Sequence, residues 1–323
     1  MISKTMTNKT ISFQKQTPAW AGDTWLSHFV NRLIGTKPLY ALMKQQARQV
    51  LIKKAERKGI PWRETVQTLV TSDVKKWLPQ LNNPTVTYPD YYQAPFHAYA
   101  KGNLCWIAAF ETEPATYAMP LRIWPALSWE AAQAKLRTNI HQVLDQYGPN
   151  DVKNLLDVGC SIGISTQYLH QHYTQRQNHA VRTVGLDLSP YMLSVAKYRD
   201  TNNEIAEWRH AQAEETGLPN ASFDLVSLQY VIHELPRKAT QKICQEAFRL
   251  LRKGGSIALV DIDPKSPHIQ NLNPILSTLM KSTEPWSDDY YTFDIETALK
   301  QIGFNAVITK ACNPRHRIII ATK

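Results

Sequence analysis

Two glycines, Gly159 and Gly163, follow a short apolar run and precede a helical pattern. A strand that turns through glycines into a helix is typical of a loop that cradles a nucleotide, because glycine lets the backbone approach a ligand closely. The dinucleotide pattern needs a third glycine where Ser161 stands, and a P-loop needs a lysine where Ile164 stands. The spacing therefore indicates a nucleotide-like ligand with no phosphate to neutralise.

A second candidate binding residue is Asp187, at the end of the next apolar run. A carboxylate at the end of a strand can accept hydrogen bonds from both hydroxyls of a ribose. The alternative is that Asp187 only caps the following helix, a role that Ser189 could fill equally well. We expect the ribose role.

The elements that must position these residues alternate between strands and helices after Gly148. The predicted strands cover residues 154–158, 183–188, 208–213, 224–231, 256–262, 306–311 and 317–322. Helical or loop segments separate the first five, as a parallel sheet with crossovers requires. The last two are too close for a crossover and must form an antiparallel pair. These patterns predict an α/β fold.

With these motifs in order, residues 130–323 resemble the class I S-adenosylmethionine-dependent methyltransferases. The acidic-x-Gly-x-Gly-x-Gly pattern of that family is matched by Asp157, Gly159 and Gly163, with Ser161 in place of the middle glycine. The 229–236 segment, with His233, resembles the small-molecule branch of ubiquinone- and menaquinone-type enzymes (Methyltransferase-11-like). The resemblance implies a Rossmann-like, seven-stranded, mostly parallel sheet with an antiparallel last strand.

The resemblance also implies S-adenosyl-L-methionine as cofactor and no metal. The glycine loop would line the methionine moiety, and Asp157 would order the loop or hold the amino group. Glu214, or its neighbour Glu215, would lie near the adenine; we prefer Glu214. The expected cofactor-binding residues are Asp157, Gly159, Ser161, Gly163, Asp187, Leu188, Met192, Ala213, Glu214 and Gln229.

Methyl transfer from a sulfonium is a direct displacement, so positioning is the main requirement and no protein nucleophile is needed. His233 is the candidate catalytic residue, as a general base, although it could instead cap the following helix. Acceptor contacts are expected from an aromatic segment and from the insert after the fifth strand. The expected substrate-binding residues are Tyr92, His97, Trp106, Glu111, Glu113, Asp263 and Tyr291. The acidic members favour a cationic acceptor, whereas the His233 context favours a phenolic or quinone-like one.

The N-terminal part of the chain differs in character. Residues 1–22 suggest a flexible tail, 23–127 a mainly helical and aromatic lid domain, and 128–323 the methyltransferase domain. Predicted helices cover residues 25–34, 38–58, 62–69 and 128–147. Most of the net charge of +10 lies early, since residues 1–72 hold 12 Lys and Arg but three Asp and Glu. The aromatic residues between Tyr88 and Phe110 could cover the pocket for the methyl acceptor, pack the N-terminal helices against the sheet, or do both.

Two other functions fit the basic lobe, which is the Lys- and Arg-rich part of the chain in residues 1–72. An RNA or DNA methyltransferase could grip phosphates with it, and a noncatalytic cofactor-binding protein could rest on an anionic membrane surface. The segment from Gln229 to Ile232 lacks the Asn/Asp-Pro-Pro-aromatic motif of amino-methylating nucleic-acid enzymes. A small-molecule partner is therefore expected.

The composition of the chain indicates where in the cell the protein is located. The four cysteines form no CxxC pair, and no apolar run approaches the length of a membrane span. A cytoplasmic protein is expected. A transit peptide fits the Ser-, Thr- and Lys-rich start of the chain, but the absence of Arg before Arg32 weakens that interpretation.

Overall fold

The computed structural model describes residues 18, 20, 21, 37–95, 99–272 and 284–323 of the 323-residue chain. The predicted helix 25–34 lies outside these residues. In the N-terminal part, the α-helices are α1 (Lys37–Arg57), α2 (Trp62–Thr71), α3 (Leu78–Leu81), α4 (Trp106–Ala118) and α5 (Trp129–Tyr147). Ser128 caps α5, as its side chain accepts a hydrogen bond from the Ala131 backbone N–H.

Strands and helices alternate through the rest of the chain. They are β1 (Asn154–Val158), α6 (Ile164–Gln177), β2 (Arg182–Asp187), α7 (Pro190–Arg199), β3 (Glu207–His210), β4 (Phe223–Gln229), α8 (Arg237–Leu250), β5 (Leu251–Ile262), α9 (Pro267–Gln270), α10 (Ser287–Tyr291), α11 (Ile295–Ile302), β6 (Asn305–Ala311) and β7 (His316–Thr322). Every predicted strand is present, although β3 ends three residues earlier than expected.

The seven strands form one sheet in the order β3-β2-β1-β4-β5-β7-β6. β7 runs antiparallel to both β5 and β6, and the other pairs are parallel. The predicted α/β class and the Rossmann-like, mostly parallel sheet are therefore confirmed. The order of strands reverses between β1 and β4, and a sheet of this kind binds ligands beyond the carboxyl ends of the strands at that reversal.

Apolar side chains cover both faces of the sheet, which explains the nearly continuous apolar runs of β1, β4 and β7. Helices α2 and α4 pack against α6 and α7 through a further apolar cluster that includes Phe110, Ile162 and Val195. The N-terminal helices therefore share a core with the nucleotide-binding side of the sheet. No helix within the described ranges is both long and apolar enough to cross a membrane. The boundary at residue 127 stays a prediction.

Candidate functional site

The glycine loop after β1 is built from backbone conformations that disfavour larger residues. Gly159 and Gly163 have φ of 69° and 79°, and Ser161 between them has φ of 51°. A Cβ on Gly163 would lie 2.4 Å from Cη2 of Trp208, and one on Gly159 would lie 2.6 Å from Cγ2 of Val231. Both positions therefore require glycine, while Ser161 takes a left-handed conformation that the middle glycine of the family pattern would adopt without strain.

Asp157 lies beneath this loop with its side chain buried. Its Oδ2 accepts a hydrogen bond of 2.7 Å from the Thr166 hydroxyl. Its Oδ1 has no hydrogen-bond partner among the described residues. Burial raises the pKa of Asp157 to about 6, because the charged form loses its hydration. A buried carboxylate oxygen that lacks a donor can accept a hydrogen bond from the amino group of a ligand in the loop.

Asp187 ends β2 on the other side of the loop. One carboxylate oxygen accepts from the Ser161 backbone N–H at 2.8 Å, and the other from the Ser189 backbone N–H at 2.7 Å. Burial raises the pKa of Asp187 to about 6, against the opposing effect of these amides. Each oxygen keeps a lone pair for a further donor, such as a ribose hydroxyl. Ser189 caps α7 by accepting from the Met192 N–H, and the ribose role of Asp187 stays a prediction.

An aromatic strap, defined here as residues 83–92, crosses the carboxyl end of β3. The Asn83 N–H donates to Nδ1 of His210 at 2.9 Å, and Tyr88 Oη lies 3.3 Å from Nε2 of the same ring. The Tyr91 hydroxyl donates to Oε1 of Glu214 at 2.6 Å. Oε2 of Glu214 is buried without a partner in the described part of the chain. The strap therefore lies over the residues expected at the adenosine end of the cofactor.

Tyr92, expected at the acceptor, also belongs to this strap. Burial raises its pKa well above the ordinary value, and the carboxylates of Asp187 and Glu234 add to the rise. In turn, the Tyr92 hydroxyl is among the groups that lower the pKa of Asp187. Tyr92 thus lies between the expected ribose carboxylate and the exit of β4, closer to the cofactor side than the sequence suggested.

The remaining expected cofactor residues surround the same edge of the sheet. Met192 Sδ lies 3.5 Å from the Ser161 hydroxyl, and the Leu188 carbonyl is 3.1 Å from Nε2 of His210. Gln229, the last residue of β4, accepts a 3.1 Å hydrogen bond from Arg137. Ala213 is partly buried against the apolar core next to Glu214. The structure brings all of these residues to one edge.

His233 lies in a short 3-10 turn (Ile232–Glu234) after β4. Its Nδ1 is 2.8 Å from Oδ1 of Asp261 near the end of β5, and its backbone N–H donates to Oδ2 of Asp261 at 3.2 Å. Burial lowers the pKa of His233, but the Asp261 carboxylate, together with those of Glu284 and Glu234, outweighs this effect and raises it to about 10. The alternative in which His233 caps the next helix is wrong, because Pro236 precedes the first residue of α8.

Two expected acceptor residues, Glu111 and Glu113, already have partners that join helices. Glu111 is buried and accepts from Arg48 Nε at 2.8 Å, from Trp62 Nε1 at 3.1 Å and from the Tyr99 hydroxyl. Glu113 forms an ion pair with Arg199 and accepts from Tyr117 at 2.8 Å. We therefore exclude Glu111 and Glu113 from the site of the methyl acceptor, because their carboxylate oxygens stabilise the packing of the N-terminal helices.

Trp106 and Asp263 have structural surroundings too. The Trp106 ring packs on Phe110 and, at right angles, on Tyr191 with centroids 5.1 Å apart. Asp263 accepts from the Lys265 N–H at 2.9 Å in the turn after β5. Neither contact requires a substrate. His97 lies outside the described residues.

Tyr291 remains a candidate for acceptor binding. Its ring is buried and packs edge to face on Trp20 with centroids 4.7 Å apart. Its hydroxyl has no partner within the residues that the structure describes. Burial raises its pKa well above the ordinary value, and the carboxylates of Glu284 and Asp261 contribute. The Tyr291 side chain therefore belongs to the same electrostatic environment as the His233–Asp261 pair.

Sequence reasoning missed Arg137. This residue lies beside the apolar stripe of α5, where a charged side chain is expected to face solvent, yet it is only 4% exposed. It also did not pair Asp261 with His233, since the two residues are 28 positions apart in the chain. Periodicity gives no signal for either contact, because both depend on how distant elements meet in the fold.

Comparisons with known proteins agree with this geometry. A family model described as "Methyltransferase domain" matches residues 156–259. An uncharacterized methyltransferase of Synechocystis is 30% identical over 169 residues, which cover 52% of this chain and 74% of that protein. The ubiquinone/menaquinone biosynthesis C-methyltransferase UbiE of Campylobacter jejuni is 28% identical over 155 residues, 48% of this chain and 62% of that protein. The chain belongs to the methyltransferase family.

A solved structure supports the fold. A Nostoc punctiforme protein described as an O-methyltransferase candidate superposes with a TM-score of 0.50 at 16% identity, over 80% of this chain and 69% of that one. This likeness shows the fold alone, whereas the methyltransferase class rests on the family model and the Synechocystis relative; S-adenosylmethionine is the cofactor that the sequence resemblance implies for that class. The matched region spans less than two thirds of the UbiE protein, and so the acceptor is a matter for proposal.

The residues present fit this cofactor. Asp157 and Glu214 each have a buried carboxylate oxygen without a partner among the described residues, suited to accept from amino groups at the two ends of the molecule. The loop between them cannot hold a side chain at Gly159 or Gly163 without a steric conflict, which keeps the backbone open to a ligand. When bound, S-adenosylmethionine supplies an electrophilic methyl group.

Proposed function

We propose that the protein transfers a methyl group from S-adenosylmethionine to an oxygen-bearing small molecule, of phenol or enol type, held beside His233. The observation that supports this most is the buried His233–Asp261 pair, with 2.8 Å between Nδ1 and Oδ1. It lies at the carboxyl ends of β4 and β5, next to the strand that carries the glycine loop. An acceptor bound there would lie beside the cofactor site.

The pair suggests a particular role for the imidazole. Because the Asp261 carboxylate raises the pKa of His233 to about 10, the ring holds both protons at neutral pH and cannot act as a base there. A protonated ring donates a hydrogen bond from Nε2 instead. Such a donor stabilises the ionised form of a phenol or enol, whose lone pair is the better nucleophile. We therefore propose that His233 orients the acceptor and stabilises its ionised form by this hydrogen bond, while the acceptor's proton passes to solvent water before the methyl group is transferred.

The names of the relatives are consistent with this acceptor class. Several are ubiquinone/menaquinone biosynthesis C-methyltransferases or a demethylmenaquinone methyltransferase, and one is an O-methyltransferase. A phosphatidylethanolamine N-methyltransferase also matches, so amines are the second candidate class of methyl acceptor. The carboxyl groups of Glu234 and Glu284 near His233 are the feature that would favour an amine. However, burial raises the pKa of Glu234 to about 8, so this group is largely protonated at neutral pH.

The basic lobe carries the two other hypotheses. Lys53, Lys54 and Arg57 of α1 are exposed, as a surface for phosphates or anionic lipid requires. Exposed lysines on a helix are equally expected of an ordinary solvated face. Retention on nucleic acid or on anionic vesicles that is lost with added salt would favour these hypotheses over the small-molecule proposal.

The test is transfer of labelled methyl from S-adenosylmethionine to a panel of phenols, quinols and amines. We expect label on the oxygen-bearing acceptors, and His233→Gln should lower kcat by about 100-fold or more with cofactor affinity unchanged. The matched control is His179→Gln, which removes the histidine of an exposed His–Asp pair with 3.0 Å between His179 Nε2 and Asp151 Oδ1. Label only on amines, or full activity of His233→Gln, would contradict the proposal.

A further inference from the structure

Tyr230 is the first residue after β4, and its backbone is strained. Its φ of 60° lies in the left-handed region, which is unfavourable for a bulky side chain and which glycine adopts readily. The neighbouring contacts fix this conformation, because the Tyr230 N–H donates to the Val260 carbonyl at 2.7 Å and Val231 lies against Gly159. Glycine would satisfy the turn without strain, so the turn alone does not explain a tyrosine here.

The ring of Tyr230 is packed, but its hydroxyl is not hydrogen-bonded. The ring lies edge to face on His316, with centroids 5.2 Å apart, and against the apolar cluster that includes Leu136 and Ile140 of α5. The hydroxyl is buried and has no hydrogen-bond partner among the described residues. A phenylalanine would make the same packing contacts without the cost of a buried hydroxyl that lacks a partner. Packing therefore does not account for the hydroxyl.

The charges that act on this hydroxyl locate it in the site. Burial raises the pKa of Tyr230 far above its ordinary value, and the Arg137 guanidinium and the Asp261 carboxylate act on it in opposite directions. Arg137 donates to Gln229 at the end of β4, and Asp261 pairs with His233. The Tyr230 hydroxyl thus stays protonated at neutral pH, as a neutral hydrogen-bond donor within reach of both groups.

His233 and Tyr230 approach the carboxyl end of β4 from opposite faces of the sheet. The His233 ring lies near Tyr290, with centroids 6.3 Å apart, and Tyr290 belongs to the apolar cluster on the α8 face. Tyr230 packs against the cluster on the α5 face. A flat acceptor bound over the end of β4 would therefore meet the imidazole with one polar atom and the Tyr230 hydroxyl with another.

We propose that Tyr230 selects acceptors that carry a second oxygen, to which its hydroxyl donates a hydrogen bond while His233 holds the oxygen that is methylated. The proposal deepens the proposed function and rests on it for the reacting oxygen. A site with a buried hydrogen-bonding group rejects an analogue that lacks the matching atom, because the group is then left without a partner. The strained backbone fixes the place of the hydroxyl, and hence the orientation of the acceptor.

The test compares catechol, which has two adjacent hydroxyls, with phenol, which has one, as acceptors of labelled methyl from S-adenosylmethionine. We expect the wild-type kcat/KM to be about 10- to 100-fold higher for catechol. Tyr230→Phe should lose most of this preference through a higher KM for catechol, with phenol unchanged. Tyr173→Phe is the matched control and should keep the preference. The Tyr173 hydroxyl is also buried without a partner in the described part of the chain and lies in the same cluster, but in the second half of α6, away from the glycine loop.

Denaturant unfolding of the ligand-free protein gives a second measurement. Removing a hydroxyl that lacks a partner should leave the unfolding midpoint of Tyr230→Phe at or above the wild-type value, whereas loss of a hydroxyl with a structural role would lower it. A lowered midpoint, equal use of the two acceptors by the wild type, or a preference kept in Tyr230→Phe would overturn the proposal. Transfer to neither acceptor is a distinct result, which would contradict the proposed function and this proposal with it.

Discussion

Replacing Asp187 by asparagine separates ligand binding from folding at the expected ribose site. The carboxylate accepts two backbone N–H groups at 2.8 and 2.7 Å, and asparagine can satisfy only one of them. Losing a charge-assisted hydrogen bond to a buried amide costs about 1.5–3 kcal/mol. However, the ionised Asp187 carboxylate is itself unfavourable in the ligand-free protein. Burial raises its pKa from 3.8 to about 6, which corresponds to a loss of about 3 kcal/mol in folding free energy when the group is ionised.

The two effects nearly cancel in the protein without ligand. The free energy of unfolding of Asp187→Asn should therefore lie within about 2 kcal/mol of the wild-type value. Its affinity for S-adenosylhomocysteine should fall by about 10- to 100-fold, because the amide accepts fewer ribose hydrogen bonds. Asp187→Ala is the less informative change, since it leaves both N–H groups without an acceptor at about 1–3 kcal/mol each. Calorimetric titration and denaturant unfolding measure the two quantities, and wild-type affinity in Asp187→Asn would refute the ribose assignment.

The pH dependence of stability follows from the same carboxylate. The folded state has the higher pKa, about 6 against 3.8, so it binds more protons between these values. Stability of the ligand-free protein should therefore rise through this contribution as pH falls from 6 to 4, and be lost as pH rises. Asp187→Asn removes the contribution. An unchanged pH profile in the variant would show that Asp187 is ionised in the folded chain throughout.

Three further changes test other parts of the site. Gly163→Ala, with φ of 79° and a Cβ 2.4 Å from Trp208, should destabilise the fold by about 2–4 kcal/mol in denaturant unfolding, whereas Gly254→Ala, with φ of 82° and nothing within 4 Å, should cost only the backbone part of about 1–2 kcal/mol. Tyr91→Phe should speed release of S-adenosylhomocysteine several-fold in stopped flow, since it removes the 2.6 Å bond to Glu214; Tyr117→Phe, which removes a 2.8 Å bond to Glu113, is its control and should not. Asp261→Asn should bring the NMR-measured pKa of His233 from about 10 down to 6.5 or below; the native pair stabilises the fold below pH 6.5, and this stability is lost as pH rises toward 10. A wild-type His233 that titrates near 6.5 would contradict the last prediction.

The strands and the glycine loop could be predicted because their causes are local. Apolar runs give β1 and β2, and the residue types at Gly159, Gly163 and Asp187 follow from what the chain can do at a strand end. The strand β3 is shorter than expected, because the chain leaves the sheet after His210 to meet the aromatic strap.

The predictions that failed concern residues whose contact partners are distant in the sequence. Glu111 lies in an aromatic segment and resembles a substrate-binding carboxylate, but its partner Arg48 comes from α1, 63 residues earlier. Arg137 gives the opposite error, since an arginine next to an apolar stripe is normally exposed. Neither burial nor pairing can be obtained from spacing when the partner element is not adjacent in the chain.

The central claim is that S-adenosylmethionine binds at the carboxyl ends of β1 and β2. Its most direct test is a crystal structure of the full chain with S-adenosylhomocysteine. We predict the ribose hydroxyls within hydrogen-bond distance of Asp187, and the amino group of the homocysteine moiety at Oδ1 of Asp157. Density for the ligand at any other place, with these two carboxylates untouched, would contradict the account.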